Sequence, residues 1–410
     1  MIRLSRYPLL MLLVTAHIIA DAQFNIYGQL RTRAELRDGQ GSPLPKNVDP
    51  AFFISQRTRL NVEYNTYRLK FGVSVQDVRV WGQDVSTINR TTVQNNNGLM
   101  LHEAWAQLGL TDTTNKKVNL TLKLGRQELI FDDQRLIGNL DWLQQARHHD
   151  AALLKYIRSH WTLNAGVAYN QNKESSSGTI YNPVSPGNYS TNTNGGSIYK
   201  SFQFVHINRR LKSGSVSVLA FADQFNRYLL DSVKTKVWTR GAWTRFTTGL
   251  YFTNAFNKLT ITGAAYYQGG KTSDNQHLSA LLLSGSVMYQ FRPYASAGFG
   301  YDYTSGGSSG SRSHSFDPLY GTPHKFWGLM DYFYAASGFG KGGLTDYYLK
   351  TKFRFSDKYN LAADLHQFYS ASNINTPAGL KGSRSSLCRG VGGYSPTRRD
   401  SPPRRDPASG

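Results

Sequence analysis

From Phe24 to Leu36 the chain alternates strictly. Phe24, Ile26, Gly28, Leu30, Thr32, Ala34 and Leu36 fall on one parity, and Asn25, Tyr27, Gln29, Arg31, Arg33 and Glu35 on the other. A period of two over that length belongs to a β-strand, whose successive side chains project to opposite faces. The pattern returns with Ile54, Thr58, Leu60, Val62 and Tyr64 opposite Ser55, Arg57, Arg59, Asn61 and Glu63. It returns again with Leu69, Phe71, Val73 and Val75 opposite Arg68, Lys70, Ser74 and Gln76. Val118 to Leu124, Trp161 to Tyr169, Leu259 to Tyr267, Tyr347 to Phe355 and Tyr359 to Leu365 repeat it. One face is apolar throughout; the other is polar and often cationic.

A soluble sandwich would alternate as well, so strand length and connection length decide. These strands run about 10 to 13 residues, where about 9 to 11 cross a bilayer at a tilt and about 5 to 6 are usual in globular sheets. The connections alternate between long (38–51, 82–98, 131–147, 172–196, 304–343) and short (65–66, 112–116, 212–214, 292–293, 356–358). Long external loops and short periplasmic turns are the plan of an outer-membrane barrel. The long first connection puts the N-terminus on the periplasmic side. Aromatics flank the short turns: Tyr64 with Tyr67, Tyr251 with Phe256, Phe291 with Tyr294, Phe355 with Tyr359. They predict an interfacial girdle. The fold class is therefore all-β, a transmembrane antiparallel β-barrel over residues 23–377. About fifteen strands are readable, whereas closed bacterial barrels carry an even number. C-terminal strands are thus expected to be missing. The basic, low-complexity tail 378–410, rich in Arg, Ser, Pro and Gly, reads as disordered or, preferably, out-of-frame sequence.

Arg3 and Arg6, the apolar run Leu9–Ile19 and Ala20-Asp21-Ala22 have the form of a secretory signal peptide, residues 1–22, cleaved near Ala22. The address expected is the bacterial outer membrane. Cys388 is the sole cysteine, which excludes an internal disulfide and a cysteine metal site. The formal charge is +21, of which about +15 belongs to the body between leader and tail. That surplus creates a field over any enclosed cavity. Nucleic acid is not expected as the partner of an exported chain.

By parity, Arg31, Arg33, Arg57, Arg59, Arg68, Lys70, Lys123, Lys350, Lys352 and Arg354 face the lumen. They lie on the first three readable strands, the fifth and the fourteenth, so closure would gather most of this charge on one arc. Each taken singly is as readily a structural ion pair with Glu35 or Glu63.

Two segments resemble the alginate export family of outer-membrane proteins: Leu124 to Tyr156, LGRQELIFDDQRLIGNLDWLQQARHHDAALLKY, and Ser315 to Phe333, SFDPLYGTPHKFWGLMDYF. The likeness covers roughly Gln23 to Tyr369. It implies an eighteen-stranded barrel with an electropositive constriction that conducts a polyuronate. Such barrels usually end in an aromatic residue, and this chain ends at Gly410. Arg126, with Glu128, Asp132, Asp133, Arg135, Arg147 and Asp150, forms a charged group in one external loop, either folded inward or solvated. Alternation from Lys123 puts Arg126 on the face of Leu124, so a bulge or a rim position is required. The resemblance favours Arg126 and Arg147 at the constriction.

The function expected is passage of an anionic polysaccharide or oligosaccharide through an Arg/Lys-lined lumen. The alternatives are a general anion-selective porin and a soluble exported glycan-binding protein. An outer-membrane hydrolase would need a Ser–His pair on one rim, so no enzyme is expected. His148, His149 and Asp150 are adjacent on a strand and diverge, so no metal and no cofactor is expected. The glycine motifs 306–310 and 338–343 lie outside any strand-to-helix turn and carry no chemistry. Expected partners are an anionic glycan, outer-membrane lipid and the barrel-assembly machinery, around a monomer.

Overall fold

A computed structural model describes residues 24–39, 44–82, 99–112, 117–170, 199–329, 342–356 and 358–372, and the backbone alone of 374–375, 381–382 and 386–391. The expected signal peptide, residues 1–22, and most of the basic tail lie outside these residues. Thirteen long strands follow in order: β1 (Phe24–Arg37), β2 (Ala51–Asn65), β3 (Leu69–Val80), β4 (Met100–Gly109), β5 (Val118–Gln127), β6 (His149–Arg158), β7 (Trp161–Tyr169), β8 (Ser201–Arg210), β9 (Gly214–Leu230), β10 (Lys236–Phe256), β11 (Leu259–Lys271), β12 (His277–Arg292) and β13 (Ala295–Thr304). A small hairpin, β14 (Ser308–Ser309) and β15 (Arg312–Ser313), precedes β16 (Leu344–Arg354) and β17 (Asn360–Ser370). The long strands number fifteen, the count that the run of long and short connections leads one to expect. Each pairs antiparallel with its chain neighbour, β13 passing directly to β16.

Three short strands complete the description: β18 (Ile374–Asn375) pairs with β19 (Lys381–Gly382), and β20 (Ser386–Val391) lies antiparallel to β17. Among the described residues β1 pairs with β2 alone, and no ladder joins it to β17 or β20, so the sheet is not closed.

The outward face is apolar and exposed, with Leu30, Leu60, Phe71, Val218, Leu250, Phe299 and Leu349 among many. No aqueous sheet protein would leave so continuous an apolar band uncovered, whereas lipid asks for one. Near the short turns Phe24, Tyr67, Trp161, Phe256, Tyr294, Phe355 and Tyr359 form the exposed girdle. Tyr251 is a correction to that group. It is buried on the opposite face, because its parity on β10 is that of Trp243, Arg245 and Thr247 rather than of Phe246 and Leu250.

On the other face, hereafter lumenal, residues 128–148 between β5 and β6 and residues 314–328 before β16 fold back onto the wall. They run side by side: Tyr320 N–H donates to the Leu136 carbonyl, Gly138 N–H to the Tyr320 carbonyl and Thr322 N–H to the Gln134 carbonyl. Leu129, Leu136, Ile137, Phe316, Leu319 and Trp327 of these loops are buried against Phe202, Phe204, Phe221, Tyr266 and Phe368 of the wall. Each fully buried apolar side chain of this size contributes about 1.5–3 kcal/mol, so the loops dock as a packed layer.

Candidate functional site

The 128–148 loop is held by charge on one side and by aromatic packing on the other. On the β1–β3 arc, Arg31 donates to the Asp141 and Leu143 carbonyls and to Gln144 Oε1 at 2.6, 3.0 and 2.9 Å. Arg57, wholly buried, reaches Asp141 Oδ1 at 2.8 Å, the Gln144 carbonyl at 3.3 Å and Gln29 Oε1 at 2.6 Å. Arg33 donates to the Trp142 carbonyl, lies 4.7 Å over the Trp142 ring and pairs with Glu35 at 2.6 Å. Trp142 stacks on His324 of the second loop, centroids 3.8 Å apart. Arg59 is bidentate to Gln76 Oε1 and 3.9 Å from Glu128. The guanidinium fork suits this work, since its fixed donors meet several carbonyls at once.

At the base of the loop a bulge in β4 makes the connection. Ser74 pairs with Glu103 and Val75 with Leu101, leaving His102 as the extra residue. A bulge re-aims side chains. Here both His102 and Glu103 reach Glu128, through its carboxylate at 2.8 Å and its backbone N–H at 3.0 Å. Gly125 of β5 has φ +116°, and a Cβ there would meet the Ala104 carbonyl oxygen. Glycine alone tolerates both conditions.

Across the lumen, Arg135 pairs with Asp302 of β13 at 3.1 Å and with Asp133 at 3.3 Å. Burial opposes its charge, but Asp302 and Asp133 outweigh burial and raise its pKa. Arg245 of β10 joins Asp223 and Asp317 at 2.6 and 2.8 Å, and Tyr320 donates to Asp223 at 2.8 Å. Asp132 accepts from Ser217 at 2.7 Å and pairs with His206 at 3.0 Å. Arg147 is half-buried between the two loops and donates to the Gly321 carbonyl at 2.7 Å; burial pushes its pKa down to about 10.

The candidate residues therefore divide. Arg31, Arg33, Arg57 and Arg59 project to the lumenal face, where they grip the inserted loop. Arg147 lies within the packed loops. Arg126 points outward, on the parity of the exposed Leu124, and is bidentate to Asp150 at 2.9 and 3.0 Å. This corrects its expected place at the constriction: alternation holds through β5 with no bulge, and the pair sits on the outer surface. Arg68 occupies the turn before β3, its guanidinium 5.7 Å over the Tyr67 ring.

Lys70, Lys123, Lys350, Lys352 and Arg354 share the lumenal parity, with Lys70, Lys352 and Arg354 near the short-turn ends of their strands and Lys123 and Lys350 mid-strand. Lys123 lies 3.9 Å over the Trp105 ring, and Lys350 is 3.9 Å from Asp364. Sequence reading missed Lys155 of β6, which pairs in register with the lumenal Asn164 and Thr121. Ala151 and Leu153 of the same parity pack against the loops, so β6 shows no alternation to read. Among the described residues the ammonium groups of Lys70, Lys155 and Lys352 make no salt bridge or hydrogen bond, and no group of three or more metal-ligating side chains occurs.

The family described as Alginate export matches residues 22–381. Among curated proteins none matches the sequence. In fold the chain is similar to OccAB4 of Acinetobacter baumannii, at 13% identity and TM-score 0.52 over 87% of this chain and 84% of that one. It is also similar to the anion-selective porin of Comamonas acidovorans, at 10% identity and TM-score 0.48 over 90% and 97% of the two chains. An outer membrane protein of Vibrio cholerae, OmpT, matches at 10% identity and TM-score 0.46 over 91% and 97%.

Proposed function

The chain belongs to the alginate export family and is an outer-membrane β-barrel channel, and from that premise we propose that its cargo is an anionic polysaccharide or oligosaccharide of the polyuronate type. The observation that carries this reading is the unmatched charge of Lys70, Lys155 and Lys352 on the lumenal face. At the level of the inserted loops cations and carboxylates are matched: Arg57 with Asp141, Arg135 with Asp302, Arg245 with Asp223. The surplus begins below them. A carboxylate entering a narrow space loses water, and the wall must supply charge in its place. Unpaired ammonium groups do so without a fixed fork, as point charges on flexible stems. That suits a chain which must be held at several points and released from each in turn.

Planar-bilayer recording of the full-length protein tests the reading. Anion selectivity is expected, with block by a polyuronate at concentrations where a neutral glucan of equal length does nothing. The triple variant Lys70→Gln, Lys155→Gln, Lys352→Gln should lose most of both properties. Cation selectivity, or indifference of the wild type to polyuronate, would refute it; anion selectivity without polyuronate block would leave a porin for small anions.

A further inference from the structure

Under the inserted loop, on the side toward the short turns, a cavity of about 380 Å³ lies between the loop and the wall of β6 to β10. It is within the range of small-molecule sites, about 300–1,000 Å³. Phe131 and Asp132 of the loop form its roof; Lys155, Asn208, Ser215 and Thr253 line the wall. Resting on the reading of the channel as a conduit for an anionic glycan, we infer that this cavity is a saccharide subsite holding one uronate unit of the cargo, with the Lys155 ammonium on its carboxylate.

The chemistry of the lining selects that class of ligand. Asp132 is the acid of the cavity, and it is already occupied: His206 Nε2 lies 3.0 Å and Ser217 Oγ 2.7 Å from its Oδ1. That oxygen is thereby engaged by the wall, and Lys155, which has no carboxylate partner among the described residues, remains to meet an incoming anion. The same cavity is lined by short hydroxyl and amide side chains from separate strands: Asn208 on β8, Ser215 on β9, Thr253 on β10. Such groups both donate and accept, as the hydroxyls of a sugar ring require. Phe131 adds an apolar wall, its ring fixed by Phe204 at 5.2 Å and His206 at 4.7 Å. The cluster binds rather than reacts. The imidazole of His206 has one nitrogen on Asp132 and the other 3.3 Å from Asn164, so neither is left to activate the Ser217 hydroxyl.

Calorimetry of the full-length protein in detergent, with a mannuronate trimer as probe and a neutral glucan trimer as control, tests the inference. Binding of the acidic trimer alone is expected. Lys155→Gln should weaken it about tenfold, the loss of one charge-assisted contact, and Asn208→Ala or Ser215→Ala should each weaken it several-fold. Two results would overturn the subsite and leave the channel reading intact: Lys352→Gln weakening the trimer as much as Lys155→Gln while the neutral variants have no effect, or no trimer binding by a channel that long polyuronate still blocks. Absence of both trimer binding and polyuronate block would instead overturn the polyuronate cargo itself.

Discussion

Replacing Arg57 by Met separates the two tasks of the lumenal cations. The Arg57 side chain is 0% exposed and the Asp141 side chain 20% exposed, with 2.8 Å between them. Removing one partner of a buried pair costs about 3–5 kcal/mol. Two features reduce this: Asp141 is partly hydrated, and Arg31 stays within 3.7 Å of the same carboxylate. A loss of about 2 kcal/mol follows, a factor of about 30 in the population of undocked loop. The barrel has no reason to share the loss, because the ladders of β9 to β11 do not depend on Asp141. Amide hydrogen exchange reads both regions. Arg147 N–H, bonded to the Asn139 carbonyl at 2.6 Å, and Ala146 N–H, bonded to the Leu143 carbonyl at 3.3 Å, should exchange about 30-fold faster, while β10 amides keep their rates. Single-channel records should gain conductance fluctuations. If the loop amides change less than about threefold, or if β10 accelerates equally, Arg57 does not latch the loop and the assignment fails.

Acidification should loosen the same loop. Burial, aided by the charges of Arg126 and His102, lowers the pKa of His148 from 6.5 to about 4. The unfolded segment then takes up its proton first, so docking is weakened as pH falls from 6.5 toward 4 and is fully retained above 6.5. Loop exchange compared at pH 7 and pH 5 should show this slope, and His148→Gln should flatten it. Arg126→Ala should leave ion selectivity unaltered in bilayer recordings, since its guanidinium lies on the outer surface with Asp150; a changed reversal potential would return it to the pore. Gly125→Ala combines a strained φ with a contact on the Ala104 carbonyl, at about 1–3 kcal/mol for the conformation alone. The yield of heat-modifiable folded barrel on gels should fall.

The strands were legible because their two solvents differ. Lipid on one side and polar groups on the other force alternation, and β1, β2 and β3 display it residue by residue. Where the lumenal side meets the inserted loops, that contrast vanishes. Lumenal Leu153 on β6 and Phe202 and Phe204 on β8 are apolar because they pack against Leu129, Ile137 and Phe131, which is why Lys155 escaped notice. The loop itself carries no local signal. Asp132, Gln134, Leu140 and Ala146 all take positive φ, a path set by partners such as Tyr320 and Thr322 some 180 positions on. Parity did locate the arginine arc, and it placed Arg126 on the outer face before the family resemblance drew it inward.

The 128–148 loop touches the wall at Arg57 of β2 and again, through Arg135, at Asp302 of β13. It thus works as a strut braced across the bore. The loop thereby links those two arcs a second time, independently of any pairing along the edge of β1. A wall braced in this way keeps its bore when the seam breathes, and widening the passage means unseating the strut at one end or the other.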